Sequence, residues 1–96
     1  MIDWIISAIN DRKTLTLTYK TARRLVEPYA VGKTAEGKTI LRCYQIQGGH
    51  TEQGHDWDLL TVSKITDLVV NDQVFASTRS GYKRGDKAMA TIFAQI

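Results

Sequence analysis

One cysteine, one proline, two histidines and no long apolar run set the first limits on this chain of 96 residues. The lone Cys43 excludes an internal disulfide and a four-cysteine zinc site, and it fits a reducing compartment. A single proline and seven glycines are far from a disordered or collagen-like composition. No stretch approaches the roughly 18 apolar residues that span a bilayer, and acidic Asp3 stands where a secretory signal carries positive charge. A cytoplasmic protein without membrane attachment is expected. The length allows one domain, 1–96, with a modest core, and excludes a two-domain enzyme.

Charge is present in small excess, 13 Lys and Arg against 10 Asp and Glu, but it is unevenly placed. Residues 1–48 carry eight basic and four acidic side chains, residues 49–76 one and five, and residues 77–96 four and one. An acidic middle therefore separates two basic ends.

Asp3 can cap a first helix in which Ile2, Ile5, Ile6 and Ile9 form one apolar stripe through about Arg12. From Thr14 the period becomes two, with Leu15, Leu17 and Tyr19 alternating against threonines, which predicts a strand. After a polar turn at 20–23, Arg24–Val31 reads as a second strand, and Pro28 must lie at an edge or bulge because it cannot donate to a ladder. A hairpin loop at 32–38 leads to a long strand, Thr39–Gln47, with Ile40, Arg42, Tyr44 and Ile46 on one face and Leu41 and Cys43 on the other. The glycine-rich segment 48–56 reads as an exposed loop. Extended structure resumes at Trp57–Val62, followed by a bend at 63–67, apolar Leu68–Val70, a turn at Asn71-Asp72, and Val74-Phe75. A basic irregular tail, 77–85, precedes Asp86, which can cap a last helix with Met89, Ile92, Phe93 and Ile96 at helical spacing. Helix, four to five strands, helix is the order of an α+β fold, mainly β. It predicts a small antiparallel, Sm-like open barrel or roll with helices over its open edges.

The ordered pattern resembles the WYL domain, a ligand-sensing module of bacterial and phage transcriptional regulators and defence-associated proteins. The resemblance is carried by Ile5 to Ile9, by Leu15-Thr16-Leu17-Thr18-Tyr19, by Arg24-Leu25-Val26-Glu27-Pro28, by a Gly-Lys before an apolar strand, and by Lys64-Ile65 ahead of Phe75. It covers about residues 4–76, leaving 77–96 as the basic tail and last helix. The family's eponymous triplet falls at Thr39-Ile40-Leu41, where only Leu41 matches. Asp58 stands where the family has an arginine implicated in gripping an anionic ligand. With no room for a DNA-reading winged helix, the chain resembles a stand-alone member. The resemblance implies a regulatory, non-catalytic module for an anionic ligand such as a nucleotide, an oligonucleotide or single-stranded nucleic acid, and needs no cofactor.

Residue chemistry favours the same partner over catalysis. Cys43 in mid-strand and His50 and His55 in a loop lack the orienting third group of a Cys–His nucleophile. His50, Glu52, His55 and Asp56 match no established zinc spacing, and Gly32-Lys33-Thr34 lacks the glycine and helix of a P-loop. Arg23 and Arg24, and Arg79, Lys83, Arg84 and Lys87 with Tyr82 among them, combine cations for phosphate with a ring for a base. Cations at the start of a helix oppose its dipole, so an anion nearby would explain Lys83, Arg84 and Lys87 better than helix stability. The resemblance implies that Tyr19, Arg24, Arg42 and Lys64 on the barrel would join them. A solvated basic face is the competing explanation, and an exposed Trp57 would border a pocket or a partner. The alternative function is a protein-interaction or homodimerisation module, pairing through a strand edge or through opposite charges.

Overall fold

The computed structural model describes residues 1–48 and 56–96. Helix α1 (Ile2–Asp11) is followed by strands β1 (Lys13–Tyr19), β2 (Ala22–Lys33), β3 (Thr39–Gly48) and β4 (Trp57–Thr61), a 3-10 turn (Val62–Lys64), β5 (Thr66–Val74) and β6 (Thr91–Gln95). The strands form one open antiparallel sheet of order β4-β3-β2-β1-β5, with β6 also paired to β2. The fold is therefore α+β and mainly β, with one helix at the N-terminus. Among the described residues no helix is long and apolar enough to cross a membrane.

Helix α1 buries Ile5, Ala8 and Ile9, as the apolar stripe requires. Its N-cap is Met1 without a side-chain bond, so Asp3 lies in the first turn, where its charge favours the helix dipole, and does not cap. Arg12 closes the helix in the left-handed conformation, its N–H bonding back to the Ala8 and Ile9 carbonyls. The two-residue connection Lys20-Thr21 has positive φ at both positions, the geometry that matches the twist of a hairpin. Leu15, Leu17, Val26, Val31, Leu41 and Cys43 are fully buried under α1 in the main core.

β2 organises the molecule because its two halves pair differently along one edge. Its first half, Ala22–Val26, lies against β1; its last residues, Ala30–Lys33, lie against β6. Between them is Pro28, which has no N–H to offer either neighbour, and the β2–β3 register shifts between Pro28 and Ala30. The proline thus marks a bulge, as its chemistry demands.

Two further expectations are overturned. The last helix is absent: residues 91–95 are the strand β6, with Ile92, Ala94 and Ile96 half-buried and Phe93 exposed. The free stretch of β2 beyond Pro28 supplies backbone partners for Thr91-Ile92-Phe93, whose β-branched and aromatic side chains suit a strand, and this outweighs an equally good helical spacing. Asn71-Asp72 is no turn but lies inside β5; Asn71 donates from Nδ2 to the hydroxyls of Thr14 (3.2 Å) and Thr16 (2.9 Å) on β1, which satisfies a turn-forming side chain within a ladder.

Candidate functional site

Neighbouring residues of a strand face opposite ways, so β3 sends Arg42 and Tyr44 to one face and Leu41, Cys43 and Gln45 to the other. β4 matches it, with Trp57 opposite Tyr44 and Asp58 opposite Cys43. The sheet therefore carries two polar clusters, one on each face.

On the core face, Arg24 is 5% exposed and lies 3.7 Å from the Asp58 carboxylate. Its guanidinium also donates to the Tyr19 carbonyl at 3.3 Å and stacks 5.4 Å from the Tyr19 ring centre. The buried Tyr19 hydroxyl accepts from the Thr61 N–H at 3.1 Å. Beside this cluster, burial pushes the Cys43 thiol well above its ordinary range, so it is protonated and a poor nucleophile.

The outer face is covered by residues 77–90, a strap that crosses without regular structure. Side-chain and backbone bonds fasten it along its length, the Gly85 N–H to Gln95 Oε1 (2.9 Å) and the Ala90 N–H to the Lys33 carbonyl (2.7 Å) among them. Arg79 holds the buried Glu27 carboxylate with two hydrogen bonds (3.0 and 3.2 Å), and its guanidinium lies 4.7 Å over the Tyr44 ring. The Trp57 indole N–H donates to the Ser80 carbonyl (2.9 Å), and the Tyr82 hydroxyl to the Ile96 carbonyl (2.8 Å). Arg42 meets Asp86 through Nε and Nη2 (2.7 and 3.3 Å). These bonds hold the Asp86 carboxyl below the ordinary carboxylate range, with the Ala88 N–H adding to the effect. Beyond Asp86, Met89 enters a second small cluster with Ala30 and Ile40.

Beneath the strap Tyr29 is the hub of an aromatic cluster, its ring centre 4.9 Å from Trp57, 5.4 Å from Phe75 and 5.0 Å from Tyr82. Burial raises the Tyr29 hydroxyl to about 12, and that hydroxyl donates to Glu27 (3.0 Å) while accepting the Arg79 N–H (3.0 Å). Gly81 (φ +95) passes so close to Trp57 that a Cβ would lie 3.1 Å from the indole nitrogen. Between strap and sheet is a cleft of about 450 Å³, walled by Trp57 and Tyr82 and lined by Arg42, Lys83, Arg84, Lys87 and Asp86. The Trp57 and Tyr82 rings are 6.2 Å apart and 23° from parallel.

Of the residues singled out by sequence, Arg42, Tyr82, Lys83 and Arg84 come together at this cleft. Arg79 belongs to the same strap and is bound to Glu27 beside the cleft. Tyr19 and Arg24 belong to the core-face cluster. Arg23 is exposed at the hairpin and donates to the Thr18 hydroxyl (3.1 Å) and the Asp67 carbonyl (2.6 Å). Lys64 is exposed at the end of the 3-10 turn. His50, Glu52 and His55 lie outside the described residues. Sequence reasoning missed Glu27, Tyr29 and Asp86 as parts of the site. A signal for Glu27 was present, a lone carboxylate within the apolar run Leu25-Val26-x-Pro28-Tyr29, which can be buried only with a partner. Compared with family models, curated proteins and solved structures, the chain matches none.

Proposed function

We propose that this chain is a non-catalytic regulatory module that binds a nucleotide unit, a phosphate carrying a base, in the cleft between strap and sheet. The observation that carries this reading is the cleft lining itself: four cationic side chains beside two near-parallel aromatic rings. Cations neutralise phosphate and rings accept a base by stacking, irrespective of which base it is. The resemblance to WYL domains supports the same ligand class and a cytoplasmic regulatory setting. Among the described residues the cleft side chains offer no nucleophile with a base beside it.

The test is fluorescence anisotropy with a labelled mixed-sequence single strand, DNA and RNA in parallel, with AMP as unlabelled competitor. If Lys83, Arg84 and Lys87 each meet a phosphate, affinity for the strand falls roughly 20-fold between 50 and 200 mM salt, from a slope of about −0.7 per phosphate. The Lys83/Arg84/Lys87 triple alanine variant loses most of that dependence. Displacement by AMP at concentrations near its own affinity identifies a mononucleotide site, and displacement only by a second strand identifies an oligonucleotide track. Absence of binding to either probe overturns the proposal.

A second reading has one observation in its favour. Among the described residues the outer edge of β5 pairs with no strand, and Val69 and Val74 are exposed there. A second copy adding its β5 to this edge would form a symmetric dimer, and sedimentation at micromolar concentration separates dimer from monomer.

A further inference from the structure

Among the described residues Asp86 is the one carboxylate lining the cleft, and it sits on Arg42 in the two-pronged geometry that a guanidinium also offers to phosphate. The other cations of the cleft, Lys83, Arg84 and Lys87, are exposed to water, where single contacts contribute little. Arg42 is the half-buried cation at the cleft, its side chain 29% exposed, and Asp86 is 10% exposed. A phosphate drawn in by the lysines and seated beside the Trp57 ring meets Arg42 already occupied and a like charge beside it.

The backbone permits an exchange. Gly81 and Gly85 both adopt left-handed φ (+95 and +76) and bracket the stretch before Asp86, while Tyr82 and Met89 hold the strap on either side. The Gly85 N–H also donates to Gln95 Oε1 (2.9 Å), so reorienting 83–86 breaks that bond as well, while Tyr82 and Met89 keep the strap attached.

Resting on the nucleotide-binding reading, we propose that Asp86 is a built-in counterion which occupies the phosphate position on Arg42 in the free protein and is displaced by the ligand's phosphate. Binding then breaks the strap's fastenings to Arg42 and Gln95, and the altered 83–86 segment is the signal the module presents. Asp86 would set the threshold of response: ligand must outcompete an intramolecular carboxylate before it registers.

The experiment compares AMP and the labelled single strand on the wild-type chain and on Asp86→Asn. Asparagine keeps an oxygen for the Ala88 N–H, so the turn at 86–89 is retained, while an NH2 in place of Oδ2 removes both the charge and the acceptor of the Arg42 Nε–H bond. The counterion account expects about tenfold tighter binding of the probe that the wild type prefers. Equal or weaker binding by a folded Asp86→Asn variant overturns it while leaving the nucleotide reading intact, and silence of both proteins towards both probes overturns the two together. A wild-type readout covers the case in which the variant does not fold. Carbon-13 titration of the Asp86 carboxyl reports a value below the ordinary range without AMP, and a return towards that range under saturating AMP. A carboxyl that stays depressed at saturation overturns the displacement.

Discussion

Glu27 is 4% exposed yet carries a full carboxylate, and Arg79 and the Tyr29 hydroxyl are the groups that make this tolerable. Arg79→Ala leaves that charge buried with one neutral donor, and costs about 1–3 kcal/mol in urea unfolding, less than a fully buried pair because the Arg79 side chain is 42% exposed. Adding Glu27→Gln to Arg79→Ala recovers part of the loss, since the amide need not be neutralised. If Arg79 were instead free for ligand, its removal would change salt-dependent binding and leave the unfolding midpoint where it was. The strap's cations thus divide by role: Arg79 fastens, while Lys83, Arg84 and Lys87 face water.

At the scale of elements, β6 and the strap depend on Gly32. A Cβ at that position would run into the Thr91 carbonyl and approach the Ile92 Cα at 3.0 Å, so Gly32→Ala displaces β6 from β2. Amide exchange at residues 91–95 then accelerates at least tenfold, while β1 and its partner half of β2 keep their protection. Unchanged exchange at 91–95 would show that β6 can shift as a unit. The first helix and the strands β1 to β3 were legible in the sequence because their periodicities were unambiguous and their turns held the expected polar residues. Met89-x-x-Ile92-Phe93-x-x-Ile96 was not, because apolar residues so spaced satisfy a helix as well as a strand. The deciding fact was non-local, the edge of β2 left unpaired beyond Pro28. Asp86 shows the same limit: its Oδ1 does accept the Ala88 N–H as a capping side chain would, at 2.9 Å, but the turn it starts ends before a helix forms. The cations of the site were visible as composition, whereas the carboxylates that hold Arg42 and Arg79 come from residues 44 and 52 positions away in the chain.

For the whole molecule, pH acts on the strap in two windows of opposite sense. Asp86 has its folded pKa lowered, so its pairing with Arg42 stabilises fully above the unfolded value of about 3.9 and is lost as pH falls through the lower folded value. Tyr29 has its pKa raised by burial, so its contribution is complete below about 10, the unfolded value, and is lost as pH climbs to about 12. Unfolding midpoints should therefore be flat near neutrality and drop at both ends, and Asp86→Asn should remove the acid-side contribution of this pair alone. The most direct test of the cleft as the ligand site uses the chain's two tryptophans as reporters, because Trp57 walls the cleft while Trp4 is 61% exposed on α1. In a nitrogen-15 spectrum the two indole N–H signals can be followed as AMP is added. The account predicts a saturable shift of the Trp57 signal with Trp4 unmoved, with AMP or with the single strand; a Trp57 signal still in place both at about 10 mM AMP, well beyond a millimolar affinity, and under excess single strand would contradict it.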